Sequence, residues 1–342
     1  MLRLFGLIVF LCTLAGAEPL EVNSPNGVLN VSFVLENGEP RYSVTRFDRE
    51  VIETSRMGFV LRDANPLSGN FHIVDSELRN VDVTWNTVLV ERKVVRNNYT
   101  ELTVQLQEKS GDKRRMNIIF RAFNDGIGFR YEIPKQRKLK KMNIMDELTE
   151  FALTGDHESW WVGAYLRNRY EYLYSHTPLS EIEVVHTPFT MQTNDGVCLS
   201  IHEAALTDYS SMTLRRQGKY KLKADLVPWS DGIRVKTSAP MKTPWRTILI
   251  TDTPAELIMS DLMLNLNEPN RIKDTSWIKP TKYVGIWLDM HLGVSTWGSG
   301  DMHGATTENT TRYIDFASEQ GFGGVLVEGW NTGWDGNWYN NG

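Results

Sequence analysis

The stretch GFGGVLVEGWNTGWDGNW, residues 321–338, decides how this chain is read. Its apolar run Val325-Leu326-Val327 has the composition of a strand buried on both faces, and it ends on a carboxylate, Glu328, followed by Gly329, Trp330 and Trp334. Upstream, YVGIWLDM (283–290) reads as another continuous apolar strand, and ATTENTTRYIDFASEQGF (305–322) as the helix between them. That helix places Tyr313, Phe316 and Ala317 on one face, with Gly321 at its carboxyl cap. Strand, helix, strand with apolar-throughout strands is a parallel βαβ unit, because parallel strands need a crossover and have both faces covered. A full (β/α)8 barrel takes roughly 250 residues, and the region 280–342 supplies only its first part.

The longer part of the chain has another rhythm. LNVSFVLENGEPRYSVTRF (29–47) alternates apolar and polar residues around Asn37-Gly38, a strong hairpin signal. The segments 83–109, 115–133 and 226–238 continue the pattern, with turn residues recurring between short strands, which predicts a large all-β sandwich over 18–252. The span 144–182, rich in acids, Trp and Tyr, is expected to be one long connection between strands. Helix signals begin at Thr253-Pro254, stop at Pro269 and are followed by a linker, so 253–279 is read as helix and linker.

Composition narrows the function. Hydrophobic residues make up 41% and charged residues 23% of 342, as in ordinary globular proteins. The net charge of −5 gives no reason to bind nucleic acid, and the basic run 135–142 is read as a solvated connection. Eleven Trp and twelve Tyr supply flat faces suited to sugar rings. Residues 1–17 read as a secretory signal: Arg3, an apolar core to Leu14, and Ala15-Gly16-Ala17 at a cleavage position. No run is long enough for a membrane span. Cys12 would leave with the signal, and Cys198 then has no partner, which fits export to a bacterial periplasm better than eukaryotic secretion. The sequons at Asn30, Asn98 and Asn309 then carry no sugar.

Functional side chains of (β/α)8 barrels stand at the carboxyl ends of strands. Glu328 and Asp289 occupy such positions, and Glu328 among Trp residues suits sugar hydroxyls or acid–base work; the plainer reading is a Glu that caps a loop. Glu147, Glu150 and Glu171 offer hard oxygen ligands of the kind calcium takes. His202-Glu203 is a weak zinc signal without a second His at ligand spacing, and a hydrogen-bonded structural pair is the better reading. No phosphate loop, G-x-S-x-G elbow or Cys-x-x-Cys pair is present.

The ordered motifs DELTEF (146–151), SWWV (159–162), YEYLYSHTPLSEI (170–182), IHEAALTDY (201–209), WIKPTKYVGIW (277–287), HGATTENTTRYIDFA (303–317) and 321–338 together resemble glycoside hydrolase family 97, over residues 20–342. The resemblance implies an N-terminal β-supersandwich followed by the start of a (β/α)8 barrel. It implies a calcium ion and the exo-acting, inverting release of glucose from α-linked glucosides. Retaining α-galactosidases of the family are the alternative, as is a non-catalytic carbohydrate-binding sandwich. The family's general acid and base are expected beyond Gly342, so that the isolated chain is expected to be inactive. By position in the motifs, Glu150 is expected to bind calcium, with Glu203 as runner-up, and Tyr170, Glu171, Tyr172, Trp287 and Glu328 to bind substrate. The loop 288–302 is shorter than is common in the family, which leaves the pocket rim open. An α-linked oligosaccharide or galactoside is the expected partner, and the chain is expected to be a monomer or weak dimer. A uronic-acid lyase or epimerase would want a basic cleft, which the acid-rich region 150–175 does not offer.

Overall fold

The computed structural model describes residues 18–166 and 172–331. Residues 1–17, read above as a signal, lie outside them, and the chain divides into two compact units, 1–87 with 92–269 and 88–91 with 270–342.

The first unit is built on two large antiparallel sheets. Among the described residues one has eight strands in the order Leu20–Asn23, Leu29–Glu36, Glu39–Arg46, Arg49–Arg56, Glu150–Leu153, Lys221–Leu226, Met212–Gln217, Val184–Val185. The other has ten, running from Ser175–Pro178 and Glu158–Trp161 through Phe189–Gln192, Cys198–Ala204, Trp245–Thr251, Gly126–Ile133 and Arg115–Phe123 to the long hairpin Phe71–Asn86 and Val94–Glu108, with Met241–Lys242 beside Gly126–Ile133. Val235–Ser238, Lys141–Glu147 and Phe59–Leu61 form a small third sheet. Asn37 and Gly38 take φ of 53° and 83° and pair Glu36 with Glu39, the two-residue turn that the sequence predicts. Alternation then does the packing. Leu29, Val31 and Phe33 face inward from one sheet and meet Val104, Ile118, Phe120 and Phe129 from the other, with Phe33 6.0 Å from Phe120 and Tyr42 4.7 Å from Phe129.

The span 144–182 differs from its expectation as a single connection. It contributes strands Glu150–Leu153, Glu158–Trp161 and Ser175–Pro178, and Phe151, Leu153 and Ile182 are buried in the core. Short strands with one or two inward residues leave too little periodicity to be read from sequence. The helical segment begins as predicted, with a capping box between Thr253 and Glu256 and Pro254 in the first turn. It breaks after Met259 into a second short helix, Leu262–Leu266, whose Leu262 and Leu266 pack with Tyr99, Phe123 and Trp245.

In the second unit Tyr283–Gly285 pairs in parallel with Gly324–Leu326, and the helix Thr307–Glu319 connects them. The Thr306 side chain caps that helix by accepting from Asn309 N, and Gly321, at φ 71°, ends it. Ala317 is buried, while Phe316 is exposed. The first strand is shorter than the sequence predicts: it stops at Gly285, and Trp287–His291 form a short helix, closed by a bond from Leu292 N to Leu288 O. An apolar run does not by itself distinguish strand from buried helix; here a hydrogen bond from the Tyr313 hydroxyl to Asp289 (2.9 Å) joins that turn to the crossover helix.

Candidate active site

Two parallel strands ending side by side fix the geometry of one candidate site. Gly285 pairs with Leu326, and Ile286 N donates to Leu326 O at 3.2 Å, so Trp287 and Glu328 each follow two residues after a neighbouring strand tip. This is the carboxyl end of the pair, where barrels carry function. The Trp287 indole lies back over Gly285, where a Cβ would come within 2.8 Å of its ring. It meets His291 edge-on at 5.2 Å, and His291 meets Trp297 edge-on at 5.5 Å. Gly329, at φ 79°, sets its Cα beside the Trp297 carbonyl, which a Cβ would approach to 3.1 Å. Glu328 is half-buried, and its carboxylate makes no hydrogen bond or ion pair among the described residues; Trp330 beyond it is exposed. Among the described residues no bond supports the plainer reading, in which Glu328 caps a loop. Asp289, by contrast, sits on the short helix and accepts from Tyr313.

The remaining sequence-predicted residues belong to the first unit. Tyr170 and Glu171 lie outside the described residues, and Tyr172 is half-buried. Glu150 accepts from Arg56 N at 3.2 Å and from Lys221 Nζ at 3.1 Å through one oxygen. Glu203 is buried, with Oε1 accepting from Met212 N (2.9 Å) and Oε2 from Arg246 Nη1 (2.6 Å).

Arg246 is the residue that sequence reading missed. Fully buried, it donates through Nε and Nη2 to Glu147 at 2.8 and 2.6 Å, so one guanidinium bridges Glu147 on one strand and Glu203 on another. Thr149 Oγ1 (2.9 Å) and the Tyr209 hydroxyl (3.0 Å) also donate to Glu147. Burial opposes ionisation of Glu147, but the charge and hydrogen bonds of Arg246, with those of Thr149 and Tyr209, hold its pKa below the usual carboxylate range. At Glu203 burial prevails over Arg246 and raises the pKa. The signal was present in the sequence: in WRTILIT (245–251) Arg246 is the one charged residue of a β-branched, apolar strand, and a buried cation requires acids nearby. The expected His202–Glu203 bond is absent, because adjacent strand residues point to opposite faces. His202 Nδ1 is instead 2.9 Å from Thr187 Oγ1.

Calcium takes six to eight oxygen ligands. Among the described residues both oxygens of Glu203 are committed, Glu150 has one oxygen bound by Arg56 N and Lys221, and no group of three or more acidic, His or Cys side chains is arranged to hold a metal ion.

Comparison with known proteins decides the family. The model described as Glycosyl-hydrolase 97 N-terminal matches residues 22–269, and that described as Glycoside hydrolase 97 matches 287–342. The chain belongs to glycoside hydrolase family 97. A family 97 enzyme from Pseudoalteromonas sp. strain K8, solved in complex with acarbose, is 46% identical, superimposes with a TM-score of 0.88, and is matched over 94% of this chain and 49% of its own. The retaining alpha-galactosidase of Bacteroides thetaiotaomicron is 26% identical over 95% of this chain and 53% of its own length. A β-arabinopyranosidase at 18% identity and a TM-score of 0.79 shares the fold, over 92% of this chain and 51% of its own. The chain thus spans about half the length of these relatives. The first family model covers the sandwich, and the second begins at Trp287, just past the first parallel strand, and includes Gly324–Leu326 and Glu328.

Proposed function

We propose that this family 97 chain serves the hydrolysis of α-linked glucosides, with Trp287 and Glu328 at the strand tips handling the sugar. The observation that carries the reading is the Glu328 carboxylate, unpaired among the described residues, just past the end of a parallel strand whose neighbour delivers an aromatic row, Trp287–His291–Trp297. A carboxylate without a protein partner is free to accept from sugar hydroxyls, and indole faces suit the C–H face of a pyranose. Glucose is preferred as substrate because a family 97 enzyme at 46% identity was also solved with panose, a trisaccharide of α-linked glucose. Retaining α-galactosidase action is the second reading, favoured by the names of the Bacteroides relative and of a probable retaining alpha-galactosidase from Streptomyces bingchenggensis, 25% identical over 84% of this chain and 42% of its own.

Calcium dependence and export to the periplasm belong to the same proposal. Since Glu150 and Glu203 are held by Lys221 and Arg246, Glu171 is, of the acids the sequence offered, the calcium donor to test. Calorimetry with maltotriose, acarbose and an α-galactoside tests the sugar reading. Glucosides should bind more tightly than the galactoside, and binding should weaken in Glu328→Gln and Trp287→Ala. Tighter galactoside binding would transfer the assignment to the second reading, and sugar binding indifferent to both substitutions would remove the rim from it.

A further inference from the structure

The first unit carries a concave site of its own, walled in part by aromatic side chains. The turn 227–233 is closed by hydrogen bonds from Trp229 N to Ile233 O (2.8 Å) and from Gly232 N to Trp229 O (2.9 Å), with Gly232 at φ 80°. Its backbone is therefore set, while the Trp229 indole remains 61% exposed. Beside it opens a cavity of about 370 Å³, within the size range of small-ligand sites, lined in part by Asp208, Tyr209, Ser211, Trp229 and Lys236. The Tyr209 wall is anchored, because its hydroxyl donates to Glu147 inside the buried ion network.

We propose that this cavity is a non-catalytic binding site for a neutral sugar unit of an α-linked oligosaccharide. An exposed indole on a set turn offers a flat face on which a pyranose stacks, with the Lys236 ammonium 5.4 Å from the ring centroid. Asp208, exposed and at φ 50°, has a carboxylate with no hydrogen bond or ion pair among the described residues and is free to accept from sugar hydroxyls; Ser211 adds a hydroxyl. Charge disfavours an anionic ligand: Lys236 is paired with Asp231 at 2.7 Å, Arg234 shares Asp225 with Arg215, and the Asp208 carboxylate would repel a phosphate or uronate. The proposal rests on the glycosidase reading only for the choice of sugar as ligand.

Saturation-transfer NMR and calorimetry with maltotriose test it, on the 342-residue chain in a Glu328→Gln, Trp287→Ala background that silences the strand-tip rim. That background should still bind, Trp229→Ala within it should weaken binding by about tenfold or more, and Asp208→Ala should weaken it in the same direction. Both side chains are exposed, so the melting temperature should hold and loss of binding would not reflect unfolding. Absence of binding in the background at millimolar sugar, or binding unchanged by both Trp229→Ala and Asp208→Ala, would overturn the site while leaving the rim reading intact. Tighter binding of galacturonate than of galactose would overturn the neutral-sugar assignment.

Discussion

Replacing Arg246 by Met removes the one charge that, among the described residues, bridges Glu147 and Glu203 in the first unit's ion network. Three hydrogen bonds of 2.8, 2.6 and 2.6 Å vanish, and two carboxylates are left in surroundings where Glu147 and Arg246 have no exposed side-chain surface and Glu203 has 5%. Thr149, Tyr209 and Met212 still donate to them, but none carries charge. Breaking a buried ion pair from one side costs about 3–5 kcal/mol, a large part of the roughly 5–15 kcal/mol that holds a domain folded. At about 2–4 °C per kcal/mol for a unit of this size, the melting temperature should fall by roughly 6–20 °C. Urea denaturation and differential scanning calorimetry of the full chain measure it. A pH series separates charge from packing. Without Arg246, burial raises the folded pKa of Glu147 above its unfolded value, and a raised group contributes stability below the unfolded pKa that is lost as pH rises. The deficit of Arg246→Met should therefore shrink as pH falls toward about 4.5. The same substitution at Arg96, whose ion pair with Asp82 is exposed on both sides, should leave the melting temperature unchanged. A loss at Arg246 below about 1 kcal/mol, or a deficit independent of pH, would refute the reasoning.

Glu328→Gln keeps the shape of the rim and removes its charge, so sugar affinity should fall by about tenfold to a hundredfold, the worth of an unsatisfied or weakened contact of about 1–3 kcal/mol; unchanged calorimetric affinity would return Glu328 to a structural role. Gly329→Ala forces a Cβ at φ 79° to within 3.1 Å of the Trp297 carbonyl and should loosen the rim, read as faster proteolysis of the second unit with the first unit intact; equal proteolysis would count against the tight approach. His202 has its pKa lowered by burial and by the Arg246 charge, so the unfolded chain binds the proton more readily, and its contribution to stability is full above about pH 6.5 and lost as pH falls below it. His202→Gln should flatten urea midpoints between pH 7 and pH 5 by at most about 1.4 kcal/mol per unit, and an unaltered slope would show that this histidine does not set it. Glu171→Ala should weaken calcium binding measured by titration calorimetry, and Glu150→Ala should not; the reverse result would restore Glu150 as the ligand.

The legible parts of this protein were those where local chemistry alone constrains the chain. Asn37-Gly38 forces positive φ at two successive residues, so the hairpin appeared where its sequence stood. Thr253-Pro254-Ala255-Glu256 closes a capping box within one turn, and that too was local. The extent of the Tyr283 strand was not local, because Ile286 onward could continue it or turn. The hydroxyl that joins the turn, on Tyr313, lies on the far side of the crossover.

From the sequence by itself came the β-rich first part, the parallel unit at 283–328, the aromatic supply and Glu328 at a strand tip, because periodicity, turn residues and apolar runs act over a few neighbouring residues. Only the tertiary structure decided what the acids of DELTEF and IHEAAL face. Glu147 and Glu203 were set against Arg246, and Glu150 against Lys221, by strands brought together from distant parts of the chain. A carboxylate's chemistry depends on the charge within a few ångströms of it, and falls off with that distance rather than with separation along the sequence.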